Sequence, residues 1–271
     1  MKVDFHSHSY ESDGSLSPQD LADFMHASGV ETYSISDHDT LSAYGGAFQA
    51  APGARVVAGI EINASYRGNE VHVLGYGSAL LGDADVAAML EHNRAERRKR
   101  VERMVDQLRR GGYGITVADV EREGPNAKAL GRPHVGKALV RAGFAGDIES
   151  AFRNFLRQGK VGYVPSTHVT PHEAIETIGT AGGVAVLAHP GRLRDLSIID
   201  ELAPHGLRGL EAFYPRHDAG DVRFFCEKAA ELGLMVSGGA DFHDIRYNTK
   251  GVGIEVPDDA IAPFLEAVFA A

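Results

Sequence analysis

Cysteine is almost absent from this 271-residue chain: Cys226 stands alone, so no intrachain disulfide can form. Its flanks, "RFFCEKAAEL", read as a helix with the thiol on the apolar side, a packing position. Long apolar runs are also missing. No segment is long enough to span a bilayer and no signal peptide is recognisable, so the expectation is a cytoplasmic protein with no membrane partner. Positive charge is in deficit, with 27 Lys and Arg against 37 Asp and Glu and a net charge of −10. That balance excludes a broadly basic nucleic-acid-binding surface, and no stable nucleic-acid complex is expected. What is present is ordinary for a folded protein: 44% hydrophobic and 24% charged residues, mixed along the chain rather than in blocks. The length suits one large α/β domain, or such a domain with an insert.

Helical and strand patterns alternate at both ends of the chain. "SPQDLADFMHASG" begins with Ser17 and Pro18, places Leu21, Phe24 and Met25 at helical spacing and stops at Gly29. "ETYSISDHD" is strand-like, a helix is predicted from about Thr40 to Ala51, and "ARVVAGIEINA" and "NEVHVLGYG" are strands. This order predicts a parallel sheet covered by helices. A charged helix from about Asp83 to Arg110, ended by Gly111 and Gly112, interrupts the rhythm, and the chain reads as helical to about Gly162. Alternation then resumes through "TPHEAIETIGTAGG", "VAVLAHP", "GLRGLEAFY", "DVRFFCEKAAELG", "LMVSGGADFH", "GVGIEV" and a last helix from about Asp258. Residues 1–82 and 163–271 are therefore expected to form one barrel-like domain, and residues 83–162 a helical insertion.

Apolar runs repeatedly end in metal-ligand residues. Val3 and Phe5 lead to His6 and His8; "YSIS" leads to Asp37, His38 and Asp39; "VVAGI" leads to Glu61; Val71 and Val73 flank His72. "GVAVLA" ends in His189, and "LMVSGGA" in Asp241 and His243. Side chains alternate in an extended strand, so Asp4, His6 and His8 share a face, as do Asp241 and His243. In parallel α/β architectures the C-terminal strand ends converge on one site. Imidazole with carboxylate suits Mn²⁺, Fe²⁺ or Zn²⁺, whereas a structural zinc site more often recruits cysteines. Nine candidate ligands exceed the needs of one ion and imply two or three.

"DFHSHSYESDGS", "ISDHDT", "GIEI", "VHVLGYG", "LAHPGR" and "GADFH", in that order, resemble the polymerase and histidinol phosphatase (PHP) family. The insert with "LGRPHVGKAL" and "FLRQGKVGYVP" is similar to the branch holding bacterial 3′,5′-nucleoside bisphosphate phosphatases and 5′-3′ exoribonucleases. The resemblance implies a distorted (β/α)7 barrel and three divalent metal ions, Mn²⁺ first, with Fe²⁺ or Zn²⁺ as alternatives. By motif, His6, His8, Glu61 and Asp241 would hold one ion, and Asp13, His38 and His243 a second. Glu61 would bridge to a third ion bound by His72 and His189. A metal-bound hydroxide would then attack phosphorus, with Asp37 and Asp39 orienting ligands or handling protons.

Three divalent ions more than offset the three carboxylates, so an acidic protein would present a positive site to phosphate. Arg132 and His134 are expected to contact a second phosphate, and Lys160 and Tyr163 the nucleoside. Arg94 and Arg97 are further candidates to face the cleft. The implied substrate is a small nucleotide such as adenosine 3′,5′-bisphosphate, or short RNA. Histidinol-phosphate phosphatase and a non-catalytic or proofreading PHP module acting with a partner are the alternatives. His26, His92, His168, His172, His205 and His217 carry no motif and default to surface or capping positions, although His217 and Arg216 follow a strand end and could border the site.

Overall fold

The computed structural model describes residues 1–46, 48–246 and 248–271. In chain order the first half comprises β1 (Lys2–Asp4), α1 (Pro18–Ala27), β2 (Thr32–Tyr33), β3 (Arg55–Val56), β4 (Gly59–Tyr66), β5 (Asn69–Tyr76) and α2 (Ala84–Arg110). The middle is helical, with α3 (Val117–Arg122), α4 (Arg132–Arg141), α5 (Ile148–Ala151) and a π-helical turn at Phe152–Leu156. The rest comprises α6 (Pro171–Thr180), β6 (Val184–Leu187), α7 (Ser197–Leu202), β7 (Gly209–Phe213), α8 (Ala219–Leu232), β8 (Met235–Gly238), β9 (Ile254–Glu255) and α9 (Asp258–Ala270).

Capping explains several boundaries. The Ser17 side chain accepts from Asp20 N with Pro18 in the first turn of α1, and Asp83 accepts from Asp85 N and Val86 N at the start of α2. These satisfy amides that a helix start leaves without partners. The helix expected from Thr40 to Ala51 is absent from the described residues, which exclude Ala47; only a 3₁₀ turn at Ser42–Tyr44 forms. Tyr44 is committed elsewhere. Its hydroxyl accepts from Ile35 N and Gly59 N at 2.9 and 3.2 Å and donates to Ile35 O at 2.8 Å, tying the segment after β2 to the start of β4. Helix α7 was not anticipated.

The strands form two sheets, ordered β3-β2-β1-β9 and β4-β5-β6-β7-β8. The expectation of a parallel sheet holds for β1–β2–β3 and β6–β7–β8, but β4–β5 and β5–β6 are antiparallel. The reason is local. Only Arg67 and Gly68 separate β4 from β5, both at positive φ, which makes a tight hairpin and leaves no length for a crossover helix. Asn63 consequently stands opposite His72.

Two seams join the sheets, at the bridges Ser7–Phe242 and His38–Glu61. Backbone bonds from Phe5 N to Gly238 O (3.0 Å) and from Asp39 N to Glu61 O (3.0 Å) cross them. The result is a mixed α/β fold whose strand ladders do not close into a barrel among the described residues. Its core has several centres. Ile60, Val73, Leu187 and Leu210 pack with Ile175 and Ile178 of α6, whereas Val101, Met104, Val105, Leu108, Val135, Leu139 and Leu156 form a separate apolar cluster within the helical segment.

Candidate metal centre and substrate cavity

Beyond β1 the chain stays extended, and His6 and His8 turn the same way, both fully buried. Asp4 fastens this segment: its carboxylate accepts from His6 N (3.1 Å), Ala240 N (3.0 Å) and Gly253 N (2.7 Å). Burial pushes its pKa up to about 6 against the pull of those amides. Asp37 holds the next loop, accepting from Ser9 N (2.8 Å), Ser9 Oγ (2.6 Å) and Ser12 Oγ (2.6 Å). Gly14 lets that loop fold back, since a Cβ there would lie 2.1 Å from His8 O. Asp13 is thereby presented inward. Four non-glycine residues have positive φ among those described, and three are Asp39, His189 and Asp241; such strain concentrates where side chains are aimed for a purpose.

Glu61 is the hub. Its Oε1 lies 2.6 Å from His72 Nδ1, 3.1 Å from His189 Nε2 and 3.3 Å from His6 Nε2, and its Oε2 lies 2.8 Å from His38 Nδ1 and 3.3 Å from His8 Nε2. Asp241 Oδ1 stands 3.4 Å from His8 Nε2, 3.5 Å from His243 Nδ1 and 3.6 Å from His6 Nε2. Asp13 lies 3.3 Å from His243 Nε2 and 3.7 Å from His38 Nε2. The nine expected residues therefore form one connected group. Donor atoms within 4.8 Å of one another fall into the sets His8–Asp13–His38–His243, His6–His8–Glu61 and His38–Glu61–His72.

The chemistry of this group fits divalent cations. His6 Nε2, His8 Nε2, His38 Nδ1 and Glu61 Oε2 are buried without hydrogen-bond partners, and buried polar atoms left this way are rare unless something else satisfies them. Imidazole nitrogens and carboxylate oxygens converging from several strands are ligands for such ions. Burial raises the carboxyls of Asp13, Glu61 and Asp241, and the surrounding imidazoles more than reverse it, holding all three well below the usual carboxylate range.

Behind the cluster lie residues that sequence reasoning missed. Glu211, in the apolar strand β7, faces His6 Nδ1 at 2.9 Å and accepts from His189 N at 2.6 Å. A carboxylate inside "GLEAF" was the available signal, because a charge is not buried in a strand core without partners. Tyr214 Oη and Arg192 Nη1 donate to Asp241 Oδ2 at 3.0 and 3.3 Å. From α2, Asn93 Nδ2 donates to Asp39 Oδ1 (2.8 Å), and Arg97, which was expected toward the cleft, donates through Nε to Asp39 Oδ2 (2.5 Å). Arg97 Nη2 also donates to Asn63 Oδ1, and Asn63 Nδ2 lies 3.2 Å from His72 Nε2.

A cavity of about 270 Å³ opens over the cluster. Asp13, His38, Glu61, His72, His189, Asp241 and His243 face it from one side, and Arg97, Arg132, Lys137, Phe152, Arg192 and Arg216 also line it. Arg132 shares Glu70 with Arg100, and Lys137 Nζ donates to Asp13 O at 3.2 Å. Other expectations fare differently. His134 does not line the cavity; it is buried, its Nδ1 accepts from Gly131 N at 3.1 Å, and burial pulls its pKa down to about 4. Arg94 donates to Asp39 O and borders a different groove. Lys160 is exposed and outside the cavity, and Tyr163 lines a neighbouring groove. Arg216 borders the cavity, whereas the His217 ring accepts from Gly191 N. His168 is buried rather than superficial, and Cys226 packs partly against the main core. No helix among the described residues is long and apolar enough to cross a membrane.

No family model matches the chain. It is 32% identical over 259 residues to the 3′,5′-nucleoside bisphosphate phosphatase of Chromobacterium violaceum, covering 93% of this chain and 90% of that protein. It is 30% identical over 262 residues to the phosphoribosyl 1,2-cyclic phosphate 1,2-diphosphodiesterase of Eggerthella lenta, covering 95% and 100%. A 5′-3′ exoribonuclease of Haemophilus influenzae is 31% identical over 252 residues, covering 89% and 90%. Among solved structures, a protein described as a metal-dependent phosphoesterase from Bifidobacterium adolescentis superposes with a TM-score of 0.86 at 30% identity, covering 98% of this chain and 96% of that one. An amidohydrolase from Chromobacterium violaceum, solved with bound sulfate and without metal, gives 0.88 at 30% identity over the same shares. Fold and site together are those of a metal-dependent phosphoesterase. The chain belongs to the PHP family of such hydrolases.

Proposed function

We propose that this chain hydrolyses the 3′-phosphate of 3′,5′-bisphosphonucleotides, such as adenosine 3′,5′-bisphosphate, to the nucleoside 5′-monophosphate and phosphate. The same step would cut short 5′-phosphorylated RNA from its 5′ end. One observation carries the reading: a single cavity combines the histidine–carboxylate cluster with Arg132, Lys137 and Arg216 and the flat ring of Phe152. A simple phosphomonoester needs only the cluster. The added guanidinium and ammonium groups suit a second anion on the same molecule, and the ring suits a base between the two.

His6, His8, Glu61 and Asp241 would hold one ion, Asp13, His38 and His243 a second, and His72 and His189 with Glu61 a third. Mn²⁺ is the proposed metal, with Fe²⁺ or Zn²⁺ also matching imidazole and carboxylate. When bound, such ions would supply Lewis acidity, the source of a lowered water pKa and of charge stabilisation at phosphoryl oxygens. The protein's own part is positioning. Glu211 sets the His6 ring, Tyr214 and Arg192 occupy the outer oxygen of Asp241, and Arg132, steadied by Glu70, would grip the 5′-phosphate. Asp37 and Asp39 act by holding the Asp13 loop and Arg97. The strands are read as a distorted (β/α)7 barrel interrupted at its two seams, with residues 83–162 as a helical cap, a reading supported by the hydrogen bonds across the seams and the separate apolar cluster.

The name of the Eggerthella relative favours a second reading, opening of a small cyclic phosphodiester by the same attack on phosphorus. Histidinol phosphate fits less well, since its ammonium group would meet cationic side chains. Phosphate release from adenosine 3′,5′-bisphosphate, histidinol phosphate and an aryl phosphate, with metal content measured on the same sample, separates these. Arg132→Ala should lower kcat/KM for the bisphosphate roughly 10- to 100-fold while changing aryl phosphate hydrolysis far less. Arg100 still pairs Glu70 in that variant. Equal losses on both substrates would remove the assignment of Arg132. A metal-loaded protein that releases phosphate from no nucleotide would favour the partner-dependent module.

A further inference from the structure

A second groove, of about 500 Å³, runs beside the cavity. Glu70, His72, Arg132, His189 and Arg192 line both, so the two spaces meet at the cluster. Past that shared wall the groove continues between the β4–β5 hairpin tip, the residues after the π-helical turn and the segment after His189. Five arginines line it, at positions 67, 132, 157, 192 and 194, against two carboxylates, Glu70 and Asp195, in a chain of net charge −10. Several of these charges are already matched: Glu70 binds Arg100 and Arg132, Arg67 pairs with Glu201, and Arg192 reaches Asp241. Arg157 and Arg194 have no ionic partner among the described residues. Cations left unmatched along a groove in an acidic protein focus a positive potential there, and guanidinium groups suit phosphate. Tyr163 also lines the groove, an aromatic ring of the kind on which bases stack.

We propose that this groove is a second phosphodiester-binding subsite, which holds the nucleotide chain continuing beyond the scissile phosphate. The proposal rests on the phosphoesterase reading above and extends it. In that reaction a water oxygen bonds to phosphorus, the bond from phosphorus to the 3′-oxygen of the terminal nucleotide breaks, and that oxygen takes the proton. In a bisphosphonucleotide the phosphorus keeps only its own oxygens. In an RNA chain it also keeps the 5′-oxygen of the next nucleotide, and that substituent must leave the cluster by some path. The groove supplies the path, and its charge makes the chain the preferred substrate.

The test compares adenosine 3′,5′-bisphosphate with 5′-phosphorylated ribonucleotide chains of two to six units on the metal-loaded protein, wild type and Arg157→Glu/Arg194→Glu. For the wild type, kcat/KM should rise about tenfold with the first added nucleotides and then level off. In the double variant the ratio of tetranucleotide to bisphosphate kcat/KM should fall about tenfold. Binding of a nuclease-resistant phosphorothioate tetranucleotide, followed by fluorescence anisotropy, should weaken by a similar factor and lose part of its salt dependence. Length-independent rates, or unchanged tetranucleotide binding in the variant, would overturn the subsite. Failure of the phosphatase reading itself would appear separately, as no release of phosphate from the bisphosphate.

Discussion

Glu211 exposes no surface and sits in a strand of apolar neighbours, yet it joins two imidazole-bearing segments, touching His6 through one oxygen and the His189 amide through the other. A glutamine there offers a single acceptor to two donors. Glu211→Gln should therefore keep the fold while lowering metal affinity or activity 10- to 100-fold. Metal content after dialysis, measured with activity, checks this; unchanged values for both would show that Glu211 does not position the ligands. The residue itself left a trace as a carboxylate in an apolar strand, but its role was not legible, since the partners of Glu211 lie 205 and 22 positions away. The nine cluster residues were legible for the opposite reason. Histidine and carboxylate at the ends of apolar runs are costly to bury without a shared purpose, so their repetition stood out.

At the level of elements, close backbone approach decides more than propensity. Gly239, just after β8, lies against the start of the His6 segment: a Cβ there would stand 2.4 Å from His6 Cβ and 2.4 Å from His6 N. Gly239→Ala should force the two segments apart, destabilising the protein by about 1–3 kcal/mol and lowering its metal content. Gly114, with no atom within 4 Å of an added Cβ, should tolerate alanine with little change. Denaturant midpoints of the two variants make the comparison; equal midpoints would contradict the close approach. Most helices were legible because caps and apolar period are local signals, as at Ser17 and Asp83. The buried face of α2 was legible only at Arg97, expected toward the cleft and found on the cavity wall. Asn93, Arg97 and Arg100 interrupt its apolar stripe, and only the hydrogen bonds to Asp39, Asn63 and Glu70 explain why these polar groups point inward.

Across the whole molecule, acid should act through histidines that are buried and neutral. His134 has its pKa pulled down to about 4 by burial, against 6.5 for the free side chain. Between those values the unfolded chain takes up a proton that the folded protein refuses, so stability is complete above about pH 6.5 and falls as the pH drops toward 4. The loss from this residue approaches about 3 kcal/mol. His134→Gln should flatten that part of the stability profile. Denaturant unfolding of both proteins from pH 7 to pH 4 tests it, and parallel profiles would assign the acid sensitivity elsewhere.

The sequence by itself determined the class of chemistry, the order of most elements and the nine residues of the cluster, because period-two alternation, helix caps and rare buried donors are written within a few residues of each other. The tertiary structure decided what stands around that cluster. The two-residue turn at Arg67–Gly68 reversed β5 and set Asn63 beside His72. The packing of α4 and the π-helical turn put Lys137 and Phe152 on the cavity wall and left His134 as a helix cap. Strand register and helix docking fix these neighbours, and both depend on contacts between segments far apart in the chain, which no local pattern encodes.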